Sequence, residues 1–203
     1  MGVDPVSPRQ RLALLHLVEA AVRRASSDLS GTKPGEREAG MARLADACAH
    51  ILPEMPRLMD LCRPEEQPSL LLSHICKMLV EHAAEHLQGQ VNVNGSGLCQ
   101  SLRRAIEGQA PLETTRNCVD ALLALARCFD EAKTTFLELS KAVHDSCKQL
   151  LCSDAVEARA EELRALMNRF VVLSNRAIDM TYGDMDLLGR IASLLRCRVD
   201  WMW

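Results

Sequence analysis

The chain has 203 residues, enough for one domain with a sizeable core, and its 24 basic and 27 acidic side chains leave a net charge of −3. This nearly neutral charge argues against direct binding to nucleic acid, and an apolar content of 48% excludes a disordered chain. The aromatic residues are only three Phe, two Trp and one Tyr, a composition that argues against an all-β fold.

The N-terminus and the cysteines predict the cellular compartment. The first ten residues lack the basic region of a secretory signal peptide, so we expect none. No uncharged apolar run reaches the roughly 18 residues that a transmembrane helix needs. The nine cysteines form no C-x-x-C pair, which favours buried, reduced thiols over disulfides or a zinc site. We therefore expect an intracellular, cytoplasmic protein, with the nucleus as the alternative location.

Three helices and one short helical piece are predicted before residue 89. Residues 7–10 (SPRQ) combine an N-cap serine, a proline at the first helical position and the glutamine of a capping box, so the first helix begins here. A stretch with Gly and Pro at 30–35 ends it. A second helix is expected over about 36–52, one short piece within the proline-rich 53–68, and a third helix over about 69–88. The buried stripe of the first helix comprises Leu12, Leu15, Val18, Val22, Ala25 and Leu29.

The third helix carries a motif with a chemical meaning. His82, Glu85 and His86 have the H-x-x-E-H spacing of inverzincin metallopeptidases, in which the two His bind zinc and the Glu acts as a base. A third ligand would come from a downstream carboxylate, namely Glu157, Glu161 or Glu162. The alternative function is therefore a zinc-dependent hydrolase. Inverzincin catalytic domains are larger α/β folds, however, and a His beside an apolar helix stripe is common, so we expect no metal.

Residues 89–97 (GQVNVNGSG) are the clearest break in the helical pattern. Their Gly and Asn content predicts a flexible, surface-exposed loop. We expect one domain over 1–203, and this loop is the candidate boundary if the chain has two subdomains. A shorter helix follows over about 98–107.

A heptad pattern extends over residues 112–181. The first seam consists of Leu122, Leu125, Phe129, Ala132, Phe136, Leu139, Val143, Ser146 and Leu150. The second seam consists of Val156, Arg159, Leu163, Leu166, Phe170, Leu173, Ala177 and Met180. These seams predict a long antiparallel helical hairpin, roughly 40 Å in length, with a short connection at 152–154.

His144 and Cys147 lie three residues apart on one helical face of this hairpin, the arrangement of a possible base and nucleophile. The pair lacks an orienting group and an oxyanion hole, so helix packing explains it better. No other segment combines a nucleophile, a base and an oxyanion site. We therefore expect no enzyme activity, no cofactor and no small-molecule substrate.

The chain ends with a helix over about 184–197 and a tail, 198–203. Trp201 and Trp203 are candidates for partner binding because Trp is enriched in interface hot spots. The alternative is that the tail packs on its own bundle. Taken together, the sequence predicts an all-α bundle of about six to eight helices that acts as an adaptor, scaffold or complex subunit. Its partners are other proteins or a second copy of the chain.

Overall fold

The computed structural model describes residues 8–31, 33–63, 66–86, 95–108, 110–151 and 159–180, and these form eight α-helices and no β-strand. This confirms the prediction of an all-α bundle. In chain order the helices are α1 (Pro8–Leu29), α2 (Pro34–Ile51), α3 (Met55–Asp60), α4 (Gln67–His86), α5 (Gly95–Glu107), α6 (Leu112–Ala126), α7 (Asp130–Leu151) and α8 (Ala160–Met180).

The chain divides into two compact units, Met1–Thr135 and Phe136–Trp203. The first unit contains α1 to α6 and the start of α7, and the second contains the rest of α7 and α8. Within the first unit, helices from both sides of residues 89–94 pack together, since α4 packs on α6 and α3 on α5. One domain over 1–203, and the alternative boundary in 89–97, both stay predictions.

Helix α4 is the centre of the first unit because it packs against α1, α2, α3 and α6. A helix with neighbours on several sides is expected to be apolar around most of its circumference. The buried apolar residues of α4 are Leu71, Leu72, Ile75, Cys76, Leu79, Val80 and Ala84.

Two polar pairs connect α4 to α6. Lys77 Nζ donates a hydrogen bond to Asp120 Oδ2 at 2.6 Å, and Asn117 Nδ2 donates one to Ser73 Oγ at 3.3 Å. Because Asn117 is buried, another register of the two helices would deprive its side-chain amide of the hydrogen bond to Ser73, which favours the observed register.

Helices α1 and α2 approach each other closely at Gly40. A Cβ atom at this position would lie 2.9 Å from the carbonyl oxygen of Ala25 and 3.2 Å from the backbone nitrogen of Leu29. Since both of these are backbone atoms of α1, only glycine permits the observed distance between the helices. The predicted stripe of α1 is buried at Val22 and Ala25 and half-buried at its other four positions.

The prediction of a loop over 89–97 is wrong for its last three residues. Gly95, Ser96 and Gly97 form the first turn of α5, whereas 89–94 lie outside the described residues. A Cβ atom at Gly95 would lie 3.4 Å from the ring of Phe129, so the bare glycine backbone lies against an aromatic ring. This tertiary contact offsets the low helix propensity of glycine.

The first arm of the heptad pattern is two helices, not one. Helix α6 ends at Ala126 and α7 begins at Asp130, so the seam is interrupted at 127–129. Asp130 and Glu131 occupy the first turn of α7, where negative charge stabilises a helix start. The heptad pattern nevertheless predicts burial correctly on both sides of the interruption, at Leu122, Leu125, Ala132, Phe136 and Leu139.

In the second unit, α7 and α8 contact each other through the rings of His144 and Phe170. The ring centroids of His144 and Phe170 are 6.5 Å apart at an angle of 47°, and this contact fits the predicted hairpin. Helix α7 has 22 residues, which corresponds to about 33 Å and is shorter than expected. In the second seam, Phe170 and Leu173 are buried, and Leu163 and Leu166 are half-buried. Arg159 is exposed. Val156 and the side chains of Ala177 and Met180 lie outside the described part of the chain.

Candidate functional site

The structure places His82 of the H-x-x-E-H motif in a contact between two helices. His82 is half-buried, and its Nε2 lies 2.7 Å from Ser26 Oγ of α1. A hydrogen bond between the hydroxyl and the ring joins α4 to α1 and engages one of the two ring nitrogens through which a His can bind zinc. The side chains of Glu85 and His86 lie outside the described part of the chain.

The downstream carboxylates predicted as third ligands are engaged elsewhere. Glu161 and Glu162 are exposed on α8 and form ion pairs with Arg164 at 3.1 Å and Arg159 at 2.6 Å. Glu157 lies outside the described residues. Among the described residues, no group of three or more His, Cys, Asp or Glu side chains is arranged to hold a metal ion. The expectation of no metal and the alternative of a zinc site both stay untested, and metal analysis of the purified protein and of His82→Ala distinguishes them.

His144 and Cys147 do not have the properties of a nucleophile and its base. Cys147 is 1% exposed, and its burial raises the pKa of the thiol to about 11, so it is protonated at neutral pH. His144 Nδ1 lies 3.0 Å from Asp145 Oδ1 and its ring lies against Phe170. The hydrogen bond from His144 lowers the pKa of the exposed Asp145 carboxyl. Both side chains of the pair therefore have structural contacts.

The described cysteines behave as small apolar residues. Five of the seven are buried, namely Cys48, Cys76, Cys99, Cys118 and Cys147, and all seven are free thiols. Burial raises the pKa of Cys118 to about 12 and that of Cys99 to about 11. Burial of these five positions agrees with the predicted burial of the thiols, whereas Cys62 is half-buried and Cys128 is exposed. That the thiols are reduced stays a prediction.

The other predicted site residues, Trp201 and Trp203, lie outside the described residues. Their role in partner binding therefore stays a prediction.

A surface that the sequence reasoning missed lies on α1. Leu14 and Leu17 are 55% and 67% exposed, and three neighbouring alanines, Ala13, Ala20 and Ala21, are exposed beside them. We call these five residues the outer face of α1. The signal was present in the sequence, because LALLHLV contains more leucines than one buried stripe can use.

The other large apolar side chains that are exposed within the described residues occur one to a helix. They are Leu61, Leu112, Leu137 and Val171, each on or next to a different helix. Single exposed apolar residues are normal on protein surfaces, whereas a contiguous group indicates an interaction site. The outer face of α1 is therefore the best-defined candidate interaction surface.

The charges around this face are mostly positive. Arg9, Arg11, Arg23 and Arg24 are exposed on α1. The two acidic residues of the helix are both in ion pairs, Glu19 with Arg23 at 2.6 Å and Asp28 with Arg43 of α2 at 2.8 Å. The surroundings of the outer face thus carry a net positive charge.

None of the described helices combines the length and the apolar character that crossing a lipid bilayer requires. No protein-family model, curated protein or solved structure matches this chain.

Proposed function

We propose that the protein is a non-enzymatic interaction module of the cytoplasm, acting as an adaptor, scaffold or complex subunit that binds other proteins through its helical surfaces. The observation that carries this proposal is the outer face of α1. Leu14, Leu17 and Ala21 follow one another at intervals of three and four residues, the spacing with which a helix contacts a partner helix.

The physical reason is the cost of exposing leucine to water. Each square ångström of apolar surface removed from water stabilises a complex by about 25 cal/mol, so two exposed leucines in one patch favour association. Helix α1 already buries Val22 and Ala25 within the first unit, so its fold does not need Leu14 and Leu17. Apolar residues that the fold does not need, and whose exposure to water is unfavourable, are suited to binding a partner protein.

Affinity purification with mass spectrometry tests the proposal when the full chain is compared with a variant of the outer face. Leu14→Asp/Leu17→Asp replaces both exposed leucines with charged side chains and is expected to lose the proteins that the unmodified chain retains. Leu112→Asp is the matched control, because Leu112 is 39% exposed and lies on α6, which packs on α4 and α5. Identical sets of bound proteins from all three chains would contradict the proposal.

A further inference from the structure

We propose that the outer face of α1 binds an amphipathic helix of another protein whose apolar stripe is flanked by acidic residues. This inference rests on the proposed function and specifies the chemistry of the partner at the same surface.

The apolar part of the surface has the shape of a helix-binding stripe. Leu14, Leu17 and Ala21 lie on one side of α1, and Ala13 and Ala20 lie beside them. Alanine side chains allow the backbone of a partner helix to approach, while the two leucines provide the area that is buried. The stripe is narrow, as in the contact between two helices of a coiled coil.

The charged residues of the surface determine which sign of charge a partner must carry. Arg24 follows Leu17 by seven residues and therefore lies on the same side of the helix, and Arg9 lies in the first turn. These two arginines are separated by about 22 Å along the axis, so they lie towards opposite ends of the outer face, with Arg9 on the side of Ala13 and Ala20. Within the described part of the chain neither forms an ion pair, and both are exposed. Acidic residues at the two ends of a partner helix would complement them.

The same charges argue against a second copy of this chain as the occupant. An antiparallel pair of outer faces would place Arg9 of one copy opposite Arg24 of the other, and a parallel pair would place Arg24 opposite Arg24. Both arrangements bring like charges together, which destabilises an interface. A lipid surface is also disfavoured, because α1 has no aromatic residue of the kind that anchors interfacial helices.

The experiment uses the full chain and two synthetic helical peptides with the same leucine stripe, one flanked by glutamates and the other by lysines. Fluorescence anisotropy is expected to show at least tenfold tighter binding of the glutamate peptide at low salt, with a smaller difference at high salt because ions screen the charges. Arg9→Glu/Arg24→Glu should reverse the preference, and Leu14→Asp/Leu17→Asp should abolish binding of both peptides. Leu112→Asp should bind as the unmodified chain does. Circular dichroism checks that each variant is folded.

Several results would overturn the inference. They are equal binding of the two peptides, binding of neither, an unchanged preference in Arg9→Glu/Arg24→Glu, or a dimer that Leu14→Asp/Leu17→Asp dissociates. Co-sedimentation of the chain with phosphatidylcholine–phosphatidylserine vesicles, lost in the same leucine variant, would assign the face to a membrane instead.

The failure of this inference differs from the failure of the proposed function. If cellular partners are lost from Leu14→Asp/Leu17→Asp but retained by Arg9→Glu/Arg24→Glu, the surface binds proteins without the proposed charge preference. If the leucine variant loses no partner, the proposed function itself is wrong.

Discussion

Helices α4 and α1 use apolar residues in opposite ways. Helix α4 has neighbours on several sides, and Ile75, Cys76 and Leu79 have no exposed surface. Helix α1 packs on α2 and α4, buries Val22 and Ala25, and leaves Leu14 and Leu17 in water. An apolar side chain in α4 therefore contributes to the stability of the fold, whereas one on the outer face of α1 is available for a partner.

The largest loss of stability is expected when the helices that pack on α5 and α6 are removed altogether. Cutting the chain after residue 94 and keeping residues 95–203 deletes α1 to α4, and among these α3 and α4 pack on α5 and α6. The fragment would expose buried residues such as Leu102, Ile106 and Leu122, so we expect aggregation and no cooperative melting. Size-exclusion chromatography and thermal circular dichroism measure this, and a monomeric fragment with a cooperative transition would show that the region folds alone.

A matched pair of leucine variants tests the comparison directly. Leu122→Ala, at a fully buried position of α6, is expected to lower the free energy of unfolding by about 2–5 kcal/mol through lost burial and a cavity. Leu17→Ala on the outer face of α1 is expected to change it by less than about 0.5 kcal/mol. Urea unfolding measures both. A cost above about 1 kcal/mol for Leu17→Ala would mean that the outer face is part of the core.

Two glycines of α2 provide a test of helix packing in which the expected change in stability is smaller. Gly40→Ala introduces a Cβ atom against the backbone of α1 and should destabilise the protein by about 1–3 kcal/mol. At Gly35 a Cβ atom would meet nothing within 4 Å, so Gly35→Ala should stabilise the helix by about 0.5–1 kcal/mol. Thermal melting of both variants measures the difference in sign. Equal shifts of the melting temperature would show that helix propensity, and not the close approach of α1 and α2, determines the effect at both positions.

The sequence predicts those parts of the fold that depend on neighbours along the chain. Pro8 begins α1 as expected, because a proline at the first helical position is a local signal. The interruption at 127–129 and the helical turn at Gly95 are not predicted, because the first leaves the heptad spacing unchanged and the second depends on Phe129, which is distant in sequence.

The candidate sites are harder to predict than the helices for the same reason. The H-x-x-E-H spacing is visible in the sequence, but Ser26, which binds His82, is 56 residues away. The pattern of apolar residues on α1 shows which leucines suit one stripe, but whether Leu14 and Leu17 are covered depends on where α2 and α4 pack. Long-range packing therefore decides which chemically suggestive residues are structural and which are exposed.

The close contact at Gly40 also restricts how the protein can evolve. An obstructing side chain can be shortened by a second mutation, but two of the three atoms nearest to a Cβ at Gly40 are the carbonyl oxygen of Ala25 and the backbone nitrogen of Leu29, which every amino acid possesses. The third is the Cβ atom of Asp28, which every residue except glycine has. No substitution at Ala25 or Leu29 can remove their backbone atoms. A selection for suppressors of a Gly40 variant should therefore recover reversion, or changes elsewhere that strengthen the fold as a whole, and not a compensating partner across the helix pair.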